Sequence, residues 1–546
     1  MRAADALVRS LAAHGVARVY CVPGESYLTL LDALHGSGIE VIVCRHEGGA
    51  GFMAVAEAKL TGRPAVCAVS RGPGATNAAI AVHVAEQDAV PVIFLVGQVS
   101  REERGRGAFQ EVDYSQFFGG MAKGVWEPAD GAKLVEVMAR AFRLAAEGQP
   151  GPVVISLLED MLADEVAEDE PVVFPVARPH HAAEDLARLQ AMIDRAERPL
   201  IIAGAALRGP RGAAALNRFA EGQRIPVAVT WKNQDVFDNT SPLYAGHLGF
   251  GNPPAHRKIL AEADLIIAVG TRLGDIGSLN YTLPRAGTPD QPVIHVYGDG
   301  GAIGKVSRTE LGLVADPVAV LQALGQDARV VSSAREAWIT RLSQFISGFR
   351  AFTPVGPADG VDFGTVVVAL AKHAPANAVI TTDAGNMSSW VHRHWAMTPA
   401  NTLLGAIAGA MGFGVPSAVA AALVEPARTA ICFVGDGGVL MTGQEIATAM
   451  QYGAAPKIVL SDNGIYGTIR THQEREFPGR VSGTMLTNPD FSQWGESFGV
   501  TVFRLEMGGD VEATVQAFLA EKGPALLHVR SSRQALSAFG QLKTLG

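Results

Sequence analysis

Cysteine is scarce: four residues in 546, at Cys21, Cys44, Cys67 and Cys432. Each lies inside an apolar, strand-like run, and none has CxxC or metal-ligand spacing. That pattern excludes a disulfide framework and a cysteine zinc site, and it reads as reduced core thiols of a cytoplasmic protein. Excess basic charge is also missing. Forty-five Lys and Arg stand against 54 Asp and Glu, a net charge of −9, so there is no electrostatic footprint for nucleic acid. The first residues include Arg2 and Asp5 and no apolar core segment, so a secretory signal is not expected. One uncharged run, Asn401 to Val424, is long enough to span a bilayer. It is broken by four glycines and Pro416 and is otherwise mostly alanine, so it reads as a loop leading into a buried helix, with no membrane partner. No GxGxxG follows the first strand, which excludes a Rossmann dehydrogenase, and no short-period repeat is visible.

What the chain has in quantity is apolar surface and turns: 48% hydrophobic residues, 61 Gly and 30 Pro. Its length predicts about three to four domains. Apolar runs alternate with helical segments in three parts, 1–165, 186–335 and 360–546. The expected strands are Ala17–Val22, Val41–Cys44, Ala65–Val69, Val92–Val96 and Val153–Leu157, then Leu200–Ala203, Val227–Thr230, Leu265–Val269 and Val293–Tyr297, then Val379–Thr382, Ile431–Val434, Ile458–Leu460 and Leu526–Val529. This alternation predicts an α/β fold of three doubly wound parallel-sheet domains, the first and third alike in layout. An acidic, Pro-containing linker near 162–185 and a second near 352–362 separate them.

The most informative stretch runs from Gly435 to Thr468. Gly435-Asp436-Gly437-Gly438 follows one apolar run, and Asp462-Asn463-Gly464-Ile465-Tyr466 follows the next. An Asp and an Asn at the carboxyl ends of two strands can converge on one hard cation. Mg²⁺ takes oxygen ligands and leaves places for substrate phosphates. The glycines let backbone N–H groups approach an anion. A second copy, Gly298-Asp299-Gly300-Gly301, has Gln326 at the corresponding distance and no Asn-Gly turn, so it reads as an ordinary strand-end turn.

The N-terminal part carries Arg45-His46-Glu47, read as a carboxylate at a strand end, and Ser70-Arg-Gly-Pro-Gly-Ala-Thr-Asn77 after another strand. Taken alone, Glu47 would be a surface salt bridge with Arg45 or His46; His46 is assigned no role.

Together these two motifs resemble those of thiamine diphosphate (ThDP) dependent enzymes, and almost the whole chain resembles the acetohydroxyacid (acetolactate) synthase large-subunit family. The resemblance implies that Asp436, the Asn463 side chain and the Ile465 carbonyl hold Mg²⁺ on the diphosphate. It implies that Glu47 protonates the aminopyrimidine, whose imine then deprotonates the thiazolium. Pro23, Gly24, Pro73, Asn77, Gly385, Asn386, Met387, Gly409, Gly435, Gly437, Gly438 and Tyr466 are the implied cofactor contacts, and Met411 is the side chain wedged between the two cofactor rings. Phe109 and Gln110 match the substrate-facing Phe-Gln segment. The implied reaction is decarboxylation of a 2-oxo acid followed by ligation to a carbonyl acceptor. A homodimer is the implied minimum active unit, within a homotetramer, with Glu47 of one chain serving the Mg²⁺ site of the other.

Departures from that family bear on substrate choice. Ile276 stands where the family has an acceptor-selecting Arg, and His472 where it has a supporting Trp, while Arg272 remains. Glu25, beside Ser26, puts an acid where the synthase has a small residue. The loop Gly246–Asn252 matches the family's FAD pattern only in part, which leaves FAD or another nucleotide in the middle domain open. The alternatives are a non-ligating 2-oxo acid decarboxylase, whose relatives carry a tandem His that is missing near Phe109, and a hydroxyacyl-CoA or oxalyl-CoA lyase, for which no basic CoA patch is seen. A non-catalytic homologue would have lost Glu47, Asp436 or Asn463, and all three are present.

Overall fold

Near-continuous Val, Ile and Leu runs are the mark of strands buried on both faces, which only parallel sheets covered by helices provide. The computed structural model describes residues 1–325 and 329–540, so Gln326 lies outside the described residues. It contains three six-stranded sheets in which every strand pair is parallel. The first holds β1 (Arg18–Cys21), β2 (Glu40–Val43), β3 (Ala65–Val69), β4 (Val92–Gln98), β5 (Gly124–Trp126) and β6 (Pro152–Leu158), in the order β2-β1-β3-β4-β6-β5. The second holds β7 (Pro199–Ala203), β8 (Val227–Thr230), β9 (Tyr244–Leu248), β10 (Leu265–Val269), β11 (Val293–Tyr297) and β12 (Leu311–Val314), in the order β12-β11-β10-β7-β8-β9. The third holds β13 (Val379–Thr382), β14 (Thr402–Gly405), β15 (Ala430–Gly435), β16 (Lys457–Asp462), β17 (Thr501–Leu505) and β18 (Ala525–Arg530), in the order β14-β13-β15-β16-β18-β17. The first and third sheets thus share one winding.

In a doubly wound sheet the chain reverses its direction of travel at one point, and the crevice at the strands' carboxyl ends there binds ligands. The three reversals fall between β1 and β3, β7 and β10, and β13 and β15. The Ser70–Asn77 motif follows β3 and Asp436 of the Gly435–Gly438 motif follows β15, each beside a reversal, whereas Arg45–Glu47 follows the edge strand β2.

Small residues bring the first and third units close. The helix Glu47–Thr61 lies between the helices Pro73–Gln87 and Gly414–Val424. A Cβ on Gly49 would strike the Glu445 side chain of the third unit, so glycine is what allows that approach. Phe52 meets Phe413 edge-on at 5.5 Å.

Two expectations need correction. Glu47 does not end a strand. β2 stops at Val43, and Glu47 is the first residue of its helix, capped by His46, whose Nδ1 accepts the Gly48 N–H at 3.0 Å. The run Asn401–Val424 begins with the unforeseen strand β14 before its buried helix; among the described residues no helix is long and apolar enough to cross a membrane.

Candidate active site

A cavity of about 240 Å³ lies at the reversal between β13 and β15. It is lined by all twelve C-terminal cofactor and metal positions singled out above: Gly385, Asn386, Met387, Gly409, Met411, Gly435, Asp436, Gly437, Gly438, Asn463, Ile465 and Tyr466. Asp436 begins a helix directly after β15 and is buried. Its Oδ2 accepts the N–H groups of Gly464 at 2.6 Å and Asn463 at 3.2 Å, and its Oδ1 that of Gly437 at 2.8 Å. Burial raises its pKa, and these donors act against the rise. Asn463 Oδ1 accepts the Ile465 N–H at 3.1 Å, which turns the chain so that side chain and carbonyl belong to one tight loop. The donor set is a carboxylate, a carboxamide and a backbone carbonyl: all oxygen, as a hard divalent cation requires. A Cβ on Gly437 would sit 2.5 Å from the Tyr466 ring, so the cradle admits no side chain there.

Two residues, half-buried Asn488 and fully buried Asp383, act behind this cavity. Asn488 donates to Asp436 Oδ2 at 2.9 Å and Asp462 Oδ1 at 2.8 Å, and its own Oδ1 is shielded from solvent without a partner among the described residues. It stands in an ordinary Thr-Asn-Pro turn that offers no sequence signal. Asp383, two residues ahead of Gly385, accepts the N–H groups of Ala384, Gly412 and Gly414. Burial pushes its pKa up to about 6.

The N-terminal positions form a second cluster, and none of them lines the 240 Å³ cavity. Asn77 Nδ2 donates to Glu47 Oε2 at 3.0 Å, joining the first turns of the two helices that start at Glu47 and Pro73. Gly72 has φ +48° and Gln110 φ +65°, and a Cβ on Gly72 would meet the Gln110 carbonyl at 2.8 Å. Phe109 beside it is 73% exposed. Gly24 packs so tightly on Ser70 that a Cβ would lie 2.5 Å away, and Pro23 precedes it. Ser26 is fully buried, its hydroxyl engaged with Ser70 Oγ at 3.0 Å and the Arg71 N–H at 3.2 Å. Glu25 is exposed and pairs with Arg71 at 2.8 Å, while Glu159 takes the other side of the same guanidinium at 2.9 Å.

The remaining specificity positions lie elsewhere. Ile276 and Arg272 line a second cavity, of about 480 Å³, at the middle sheet's reversal. His472 is exposed on the helix Gly467–Glu476, its Nδ1 accepting from Arg475 at 2.8 Å.

Three family models match in chain order: the thiamine pyrophosphate enzyme N-terminal TPP binding domain over residues 1–117, the central domain over 186–324, and the C-terminal TPP binding domain over 383–529. With one matched domain on each sheet, the chain belongs to the thiamine pyrophosphate (thiamine diphosphate) dependent enzymes. Within that family it is similar to acetolactate synthase large subunits. It is 34% identical to that of isozyme 2 of Escherichia coli K12, covering 97% of this chain and 95% of the relative. It is 33% identical to isozyme 1 of the same organism, with 96% and 93% covered, and 31% identical to the Parasynechococcus marenigrum large subunit, with 97% and 87% covered.

Proposed function

We propose that the chain is a ThDP- and Mg²⁺-dependent enzyme that decarboxylates a 2-oxo acid and ligates the remaining fragment to a second carbonyl compound. The observation that carries this reading is the cavity in which Asp436, Asn463 and Ile465 stand among the glycines and Met411. Asp436 through Oδ1, Asn463 through Oδ1 and the Ile465 carbonyl oxygen would hold Mg²⁺. The side-chain-free floor at Gly435, Gly437 and Gly438 would admit a diphosphate, with Gly385, Asn386, Met387 and Tyr466 around it. Gly409 and Met411 would hold the pyrimidine end. When bound, ThDP supplies the electron sink that lets CO₂ leave a 2-oxo acid.

The chain's own proton group is Glu47. Asn77 occupies its Oε2, leaving Oε1 to carry and yield a proton, and Pro23, Gly24 and Pro73 shape the backbone around it. Because Glu47, Phe109 and Gln110 do not line the 240 Å³ cavity of their own chain, the working site would pair one copy's N-terminal cluster with a second copy's cavity. Substrates would be small: a 2-oxo acid and a carbonyl acceptor. With Ile276 and His472 in place of the family's Arg and Trp, acceptor selection would fall to the Glu25–Arg71–Glu159 rim. The 480 Å³ middle cavity would suit FAD or another nucleotide, which an absorbance spectrum of the purified protein would reveal.

The test is to incubate the protein with ThDP, Mg²⁺ and pyruvate and to follow CO₂ and organic product together. Acetolactate is the expected product. Acetaldehyde alone would replace ligation with simple decarboxylation. A protein that binds neither ThDP nor Mg²⁺ would end the reading altogether.

A further inference from the structure

The uncharged stretch before Gly409 is gripped by buried charges from the other two domains. Lys59, at the end of the Glu47 helix, donates to the Gly405 carbonyl at 2.7 Å. Lys232, from the middle domain, donates to the Ala406 carbonyl at 2.9 Å. Asp88, which caps the end of the Pro73 helix, accepts the Ile407 N–H on Oδ2 and the Ala408 N–H on Oδ1, both at 3.0 Å. Four consecutive residues thus each give one backbone group to a borrowed charge. Lys59 and Asp88 also form an ion pair, their side chains 1% and 0% exposed.

Burying such charges is costly unless every lone pair and proton is used, and a partly broken network is worse than an apolar core. Apolar residues would pack this junction without that cost, so bare adhesion does not explain the choice. What charges add is direction: a carboxylate with two N–H donors and an ammonium on a carbonyl define where a backbone lies. Lys232 itself holds φ +59°, a conformation side-chain residues rarely adopt, with its ammonium 4.6 Å from the Trp231 ring centre. Gly409, one residue on, has φ +72° and donates to the Ala406 carbonyl at 3.0 Å. The gripped segment therefore delivers Gly409 and, two residues later, Met411 to the 240 Å³ cavity.

We infer that Asp88, Lys59 and Lys232 are positioning residues that preset the Gly405–Ala408 segment so that Gly409 and Met411 are ready for the pyrimidine end of ThDP. This rests on the ThDP reading above. None of the three lines the cavity, so their effect must pass through the loop.

The experiment measures ThDP affinity by tryptophan-fluorescence titration in the presence of Mg²⁺, alongside amide hydrogen exchange of Ile407 and Ala408 without ThDP. Asp88→Asn and Lys232→Met are compared with wild type and with Lys123→Met. Lys123 is a partly buried lysine that donates to the Leu144 and Glu147 carbonyls, away from the loop. The expected result is a loss of ThDP affinity of about tenfold in each loop variant, the scale on which supporting hydrogen bonds tune a site. Exchange at residues 407–408 should rise, while Lys123→Met moves neither reading. Wild-type affinity in Asp88→Asn and Lys232→Met, or an equal loss in Lys123→Met, would overturn the inference. If Asp88→Asn does not fold, Lys232→Met, which loses a single bond to the segment, decides alone. A wild-type protein that fails to bind ThDP overturns the function first, which separates the two failures.

Discussion

At Asp436 the carboxylate already has its direction before any cation arrives, because Asn488, Gly464 and Asn463 all donate to one oxygen. Removing the Asn488 amide frees that carboxylate to rotate. Asn488→Ala should weaken Mg²⁺ affinity about 10- to 100-fold, the usual price of a lost supporting contact, as a calorimetric titration would show. Unchanged affinity would leave Asn488 structural only. Glu47→Gln keeps the Asn77 contact and removes the proton. Turnover should fall at least about 10²-fold while ThDP still binds; a near-normal rate would remove Glu47 from the chemistry. Asp436 and Glu47 were legible because each stands in a run of glycines after an apolar segment. Asn488 and Asp88 were not: their work is to bond residues that lie far off in the sequence, and nothing in their neighbours announces it.

Among the elements, the interior strands were readable and, β2 apart, the edge strands were not. β5, β9, β12, β14 and β17 were missed, and every one lies at a sheet edge. An edge strand has one unpaired side and needs no continuous apolar run, as the alternation of buried and exposed residues in β12 illustrates. β9 and its neighbours carry a different signal. His247 in β9 and His256 in the next helix are pulled down to about 4 by burial. His256 Nδ1 accepts from the Asn252 amide while Nε2 donates to the Ala245 carbonyl, and only a ring without a proton on Nδ1 can make both bonds. Both rings are therefore neutral when folded and take up protons near 6.5 when unfolded. The unfolded chain gains protons between those values, so stability present above pH 6.5 is lost as pH falls toward 4, on the order of 1.4 kcal/mol per pH unit for each ring. Asp383, pushed up to about 6, works the other way below that pH, as do Glu57, Asp362 and Glu445, also raised by burial, while His392 and His394, also lowered by burial, add to the loss. The melting temperature should drop from pH 6.5 to 4, and by less in His256→Gln. A flat profile would contradict the burial argument.

For the whole molecule, the layout of three parallel sheets followed from composition and alternation, but the docking between them did not. The assembly can be tested by mixing chains. Glu47→Gln and Asp436→Ala should each be inactive alone. In a shared two-fold dimer, re-equilibrated mixtures should recover about a quarter of wild-type activity, because half the dimers are hybrid and each hybrid holds one intact site. No recovery after demonstrated exchange would place both residues in one chain's site.

The traffic of charge between domains also runs in reverse. Glu445, fully buried in the C-terminal unit, accepts the N–H groups of Arg45 and His46 just ahead of Glu47, as Asp88 accepts those of Ile407 and Ala408 just ahead of Gly409. Each outer unit thus owns part of the other's foundation. The chain looks divisible, since residues 166–182 form neither helix nor strand, yet a free fragment on either side would be left with raw carboxylates and ammoniums where its neighbour used to be. Protease cutting in that segment should produce two pieces that stay together on a sizing column and melt as one.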